Sequence, residues 1–89
     1  KDLAFVVDDN VESFEILKEI KKTGGKLLTE VNVFDIYKGD KLDSSKKSIA
    51  YNLTFEDYTR TLTEEEVMNI FANIIKSVES KFNATLRDK

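Results

Sequence analysis

No cysteine and no histidine occur in the 89 residues of this chain. Without cysteine there is no disulfide framework and no thiolate chemistry, and the composition fits a reducing cytosol. Without histidine as well, a zinc site of the usual ligand type and a histidine general base are both excluded. Long apolar runs are missing too: none approaches the ~20 residues that a membrane-spanning helix needs. Glycine is scarce, and its one pair, Gly24-Gly25, precedes a predicted strand rather than a helix. That order cannot build a glycine-rich phosphate cradle, whose amides must open a helix.

What is present suits one folded domain. A balance of 40% hydrophobic and 35% charged residues supplies a core and a charged surface. A second domain would have too little chain to bury a core of its own, so a single domain over residues 1–89 is expected. The chain opens on Lys1 and closes on charged residues, and it reads as a C-terminal fragment of a longer polypeptide. Its net charge of −3 argues against a general nucleic-acid-binding surface, which is normally basic. The distribution is uneven, however. Residues 38–47 hold four lysines and two aspartates, a local +2 that leaves −5 for the remainder. A basic loop on an acidic body can steer a phosphate backbone to one place while giving weak overall affinity.

That loop lies inside the stretch around which the chain is organised, VNVFDIYKGDKLDSSKKSIAYNLTF (residues 31–55). Two runs rich in β-branched and aromatic residues, 31–37 and 48–55, flank it and suit a pleated, half-buried surface. Gly39 offers a turn position, and Asp40, Asp43, Ser44 and Ser45 add turn chemistry. A long-looped β-hairpin is predicted. In its first strand Val31 and Val33 share one face while Phe34 and Ile36 share the other. Both faces are then partly covered, or a bulge shifts the register between Val33 and Phe34. The second strand is cleaner. Ile49, Tyr51, Leu53 and Phe55 line one face, and the small or polar Ser48, Ala50, Asn52 and Thr54 line the other.

The flanks complete the pattern. Residues 3–7 (LAFVV) read as a short central strand. Asp9 with Glu12 forms a loose capping box before Val11, Phe14, Leu17 and Ile20, with Ile16 widening the helical stripe. Lys18, Lys21 and Lys22 suit the negative end of that helix, and the glycine pair stops it. Thr63 with Glu66 makes a clear capping box ahead of a stripe running from Val67 to Phe82. Asn83 is a plausible C-cap, and residues 84–87 leave room for a closing strand. The order β-α-β-β-α-β predicts an α+β, ferredoxin-like split βαβ fold: a four-stranded antiparallel sheet with two helices on one face. Strands one and three would be central, so the Ser48-Ala50-Asn52-Thr54 face would lie in the middle of a solvent-facing platform.

As catalysis the inventory is poor. The acidic runs Asp8-Asp9 and Glu64-Glu65-Glu66 sit at helix starts, where the dipole accounts for them without a metal. An RNA-recognition motif shares this element order, and residues 47–55 align superficially with its third strand. Here, though, Tyr51 and Phe55 share parity with Ile49 and Leu53, so these aromatics are expected to face the core.

With its flanks the same segment carries a closer likeness. It rests on Asp2-Leu3-Ala4-Phe5-Val6-Val7, Gly24-Gly25-Lys26-Leu27-Leu28, Phe34-Asp35-Ile36-Tyr37-Lys38-Gly39 and Lys46-Lys47-Ser48-Ile49-Ala50-Tyr51. Leu53-Thr54-Phe55, Asp57 and Arg60-Thr61-Leu62-Thr63-Glu64-Glu65-Glu66-Val67 extend it. In these blocks, which run in fixed order from Asp2 to Arg87, the chain resembles the ferredoxin-fold anticodon-binding domain at the C-terminus of bacterial phenylalanyl-tRNA synthetase β subunits. It departs from the pattern at two places: Glu12 stands at the first helix start, where that family often has proline, and Asp43 and Ser45 stand before the lysine pair, where it often has a proline and a glycine.

The resemblance implies a cytoplasmic parent enzyme of two α and two β subunits that joins phenylalanine to its tRNA using ATP and Mg2+. Catalysis then belongs to the α subunit, and this fragment carries no catalytic residue and no cofactor. Its implied partners are the tRNA(Phe) anticodon stem-loop, the rest of the β subunit and the α subunit. Lys41, Lys46 and Lys47 are the candidate phosphate contacts. Ser48 and Ala50 let bases approach the backbone, Asn52 can read a base edge, and Tyr37 either stacks on a base or packs locally. Asp35 and Arg60 are expected to tie strands and helix start together. The alternative is a protein-interaction or RNA-recognition-motif-like module on the same fold, whose mark would be an apolar face or edge. Val31 and Val33 are its only hint.

Overall fold

The computed structural model describes residues 1–38 and 44–87, so Gly39, Asp40, Lys41 and Asp43 lie outside the described residues. The elements run β1 (Asp2–Asp8), α1 (Ser13–Gly24), a single 3-10 turn (Gly25–Leu27), β2 (Leu28–Tyr37), β3 (Lys46–Phe55), α2 (Glu64–Phe82) and β4 (Thr85–Leu86). All strand pairs are antiparallel, in the order β2-β3-β1-β4. This is the predicted α+β ferredoxin-like arrangement, with β1 and β3 central.

The alternation of β3 sets the two faces. Ile49, Tyr51 and Leu53 are buried with Leu3, Phe5 and Val7 of β1 and Val31 of β2, beneath Ile16 and Ile20 of α1 and Ile74 and Val78 of α2. Both helices therefore cover one side, and the opposite side carries none. Each of these large side chains contributes roughly 1.5–3 kcal/mol by leaving water. The Tyr51 hydroxyl, deep in this core, donates to the Ser13 carbonyl at 3.0 Å, and burial pushes its ionisation up.

The β2–β3 register shifts between Val33 and Asp35, leaving Phe34 as the extra residue. The bulge alternative is thus the correct one, and it resolves the conflicting parity of Val33 and Phe34. A second shift, between Leu28 and Glu30, has no sequence signal in the alternation.

Helix α1 begins later than its capping pattern suggested. Its N-cap is Glu12, which makes no side-chain capping bond. Asp9 is held elsewhere: its N–H donates to the Ser45 carbonyl at 2.7 Å, and its carboxylate pairs with Lys38 at 3.0 Å. Phe14, expected in the apolar stripe, is 60% exposed, with the Lys18 ammonium over its ring. The stop does follow the glycine pair. Gly25 takes φ 67°, the left-handed region, and its N–H caps the Lys21 carbonyl. A Cβ on Gly24 would collide with Leu28, so the chain reverses here without room for a side chain.

Helix α2 has the complete predicted box: Thr63 accepts from the Glu66 N–H, and Glu66 accepts from the Thr63 N–H. Arg60 grips the same carboxylate with both terminal nitrogens, at 2.8 and 2.6 Å. Held first by this guanidinium and then by the Thr63 amide, Glu66 has its pKa lowered to about 2. Arg60 is the structural tie expected of it. Asn83 closes the helix in the left-handed conformation. Between the helices, the buried Glu19 of α1 accepts from Ser77 and from Lys81 of α2. The Ser77 bond leads in lowering its pKa, followed by the Lys81 bond. Among the described residues no helix is long and apolar enough to cross a membrane.

Candidate nucleic-acid interface

The helix-free face of the sheet is assembled by register. Across its middle, Asp35 of β2 lies opposite Ala50 of β3, which lies opposite Ala4 of β1. One pleat away, Tyr37, Ser48, Val6 and Thr85 form a row through all four strands. In the other direction Asn32, Asn52 and Asp2 form a third. Ser48, Ala50 and Asn52 thus stand where the sequence put them, in the centre of the platform.

The platform is less open than its sequence suggested. Ser48 is only 3% exposed and Ala4 9%, although neither lies beneath a helix. The cover comes from the two edges. Arg87 follows β4, its N–H donating to the Ala4 carbonyl at 2.8 Å, and its guanidinium carbon lies 5.0 Å from the centre of the Tyr37 ring. Strands β2 and β4 are three interstrand steps apart, about 14 Å. The two side chains can meet only by lying flat across β3 and β1, above Ser48 and its neighbours. A guanidinium on an aromatic face is a cation–π contact worth about 0.5–1 kcal/mol at an exposed site. Arg87 was not among the candidates. Its signal was available in the alternation Ala84-Thr85-Leu86-Arg87, which sends Arg87 to the side opposite Leu86.

The lysines fall differently. Lys46 does stand on this face, yet it is directly opposite Asp8 and pairs with it at 2.6 Å. Lys47 is opposite Val7, a core residue, so it belongs to the helix-bearing side at the sheet's end. It makes no ion pair among the described residues. Lys41 lies outside the described residues. Two of the described loop lysines, Lys38 and Lys46, therefore fasten the hairpin to Asp9 and Asp8 at the end of β1.

Asp35 does not tie strands together. It is exposed on the helix-free face, a carboxylate between the Tyr37 row and the Asn52 row with acceptor capacity only. Tyr37, 36% exposed, is on this face rather than in the core. The set consists of a ring, a guanidinium, small residues over which flat groups can approach the backbone, and amide and carboxylate oxygens. Such a surface stacks planar rings and accepts hydrogen bonds from their edges. Among the described residues no group of His, Cys, Asp and Glu side chains could hold a metal ion.

Comparison with known proteins agrees with this chemistry. The phenylalanine–tRNA ligase beta subunit of Geobacillus kaustophilus is 44% identical over 87 residues, covering 98% of this chain and 11% of that protein. The beta subunit of Bacillus subtilis is 42% identical over 87 residues, with the same coverage of each. That of Shewanella oneidensis is 40% identical over 88 residues, 99% of this chain and 11% of that protein. The chain thus spans about a tenth of the length of these relatives. The family model of the ferredoxin-fold anticodon binding domain matches residues 1–87, the whole sheet and both helices, and the chain belongs to that family.

Proposed function

We propose that the helix-free face binds the anticodon stem-loop of tRNA(Phe), as one module of a phenylalanine–tRNA ligase beta subunit. The observation that carries this reading is the Tyr37 ring with the Arg87 guanidinium upon it, laid over a platform of small residues. The ring face that holds a flat cation can hold a flat base once the guanidinium swings aside to a phosphate. Unpaired bases would lie on the Tyr37 ring and across Ala50, with Asp35 and Asn52 meeting base edges. Phosphates would be met by Arg87 and by the lysines at the hairpin base, Lys46 exchanging Asp8 for the backbone.

In this reading the chain does no chemistry. It holds the anticodon end while the acceptor end reaches an active site in the α subunit, where ATP and Mg2+ are used. The enzyme of two α and two β subunits works in the cytoplasm. An acidic body and few base contacts leave the isolated domain with weak, strongly salt-dependent affinity. The protein-interaction reading has one observation in its favour, Ile36 on edge strand β2, which is 52% exposed.

The test is tRNA binding by the full ligase, comparing tRNA(Phe) with an anticodon-swapped version at two salt concentrations. Ala50→Glu places bulk and negative charge in the middle of the platform and should erase the anticodon preference. Lys46→Ala with Lys47→Ala should lower the salt dependence. If both variants bind and discriminate like the parent, the face is not the tRNA site. A stable dimer of the domain through β2 would then favour the protein-interaction reading.

A further inference from the structure

Away from the Tyr37–Arg87 pair, the same face holds a second aromatic ring that the reading above leaves unused. The bulge between Val33 and Asp35 puts Phe34 out of the ladder. Its side chain, 54% exposed, walls a shallow hollow of about 410 Å³ whose other sides are Asp2, Asn32 and Asn52. A ring left in water beside polar groups costs burial it could otherwise gain, and the core offers no reason for it.

The hydrogen bonding of this hollow has a definite polarity. A carboxylate only accepts, so each neighbouring amide must turn its NH2 toward it. Asn52 donates through Nδ2 to Asp2 at 2.7 Å, and Asn32 donates through Nδ2 to Glu30 at 2.7 Å. Both amides therefore keep their carbonyl oxygens for another partner. These oxygens, together with the second oxygen of Asp2, present acceptors beside an aromatic plane. Phosphate is repelled by such a site. A flat ring carrying an N–H donor on its edge fits it.

Ser48, under the Tyr37 ring, and Asn52, in the hollow, are four residues apart on β3, about 13 Å. One base cannot cover both positions, whereas a single strand laid along β3 can reach each in turn. We propose that the Phe34 hollow is a second base subsite. In it, an unpaired nucleobase bearing an exocyclic amino group stacks on Phe34 and donates to the Asn52 side-chain oxygen. This inference rests on the face being the RNA site, and it adds a second, chemically selective position to it.

The experiment uses the full ligase with Phe34→Leu, Phe34→Trp, Asn52→Ala and, as a control for the face itself, Tyr37→Ala. The probes are tRNA(Phe) and versions in which single anticodon-loop adenosines are replaced by purine riboside, which lacks the amino group. Phe34→Leu keeps apolar bulk without a ring and should weaken binding on the order of tenfold, while Phe34→Trp retains it. One purine riboside position should weaken binding to the parent but not to Asn52→Ala, the two losses being one interaction removed twice. If Tyr37→Ala weakens binding and Phe34→Leu does not, the second subsite is absent and the anticodon reading stands. If losses from Asn52→Ala and from every purine riboside simply add, the amino-group assignment is wrong. If none of the variants changes binding, the reading beneath both falls.

Discussion

Arg87 and Tyr37 come from opposite edges of the sheet, yet the guanidinium of one lies 5.0 Å from the ring centre of the other. The pair belts the helix-free face and shields Ser48 from solvent. Replacing Arg87 by Ala removes both the cation and the cover. The expected cost to folding is small, about 0.5–1 kcal/mol, read by urea denaturation. The effect on RNA is larger in kind: the salt slope of tRNA binding should fall by about one unit, as for the loss of one phosphate contact. An unchanged slope would confine Arg87 to a structural role.

A pH dependence follows from the Arg60–Glu66 clasp. The folded pKa of Glu66 is about 2, against an ordinary 4.5, so its stabilising contribution is complete above pH 4.5. It is lost as pH falls toward 2, where the folded state must also take up the proton. The stability difference between the parent and Glu66→Gln, from thermal unfolding, should therefore shrink across that window. Asp57, lowered in the same direction chiefly by the Thr59 amide, keeps that leading partner in both proteins. A difference that stays constant from pH 5 to pH 2, roughly the interval the shift covers, would contradict the assignment.

Tyr51 anchors the start of α1 without replacing its missing cap, since it donates to a carbonyl rather than accepting from an amide. The first turn of α1 has no side-chain cap, but its first residue is tethered to the middle of the sheet by the Tyr51 hydroxyl. Tyr51→Phe keeps the ring and removes the tether, at a cost of about 1 kcal/mol. Chemical denaturation of the chain measures it, and a variant as stable as the parent would show that the bond contributes nothing net.

Local rules made much of this legible. The Thr63–Glu66 box, the Asn83 cap and the alternation of β3 each depend on neighbours within a few residues, and each came out as read. The parity clash at Val33-Phe34 narrowed the strand to two alternatives, of which the register chose the bulge. The misses share a different cause. Asp9 looked like a cap, but Ser45 and Lys38, some thirty residues downstream, claim it. Lys46 looked free for phosphate, but the register sets it against Asp8. Ser48 looked open, but side chains from both sheet edges close over it. Each depends on which distant residues the fold brings together, and no spacing along the chain encodes that. Phe14 had the right period and the wrong side, because the buried flank of α1 runs through Ile16, Glu19 and Ile20, two positions round the helix from it.

The central strand pair has a consequence for how binding is gained and lost. Asp2 meets Asn52, its partner fifty positions along the chain, and Asp8 meets Lys46 at a separation of 38. The middle of the sheet cannot exist until most of the chain has been drawn together, and loops of that size close at an entropic cost no single contact repays. A half-made molecule therefore presents no half-strength platform. Injury to the distant helix pair should silence RNA capture in proportion to the unfolded population, leaving the survivors at full affinity.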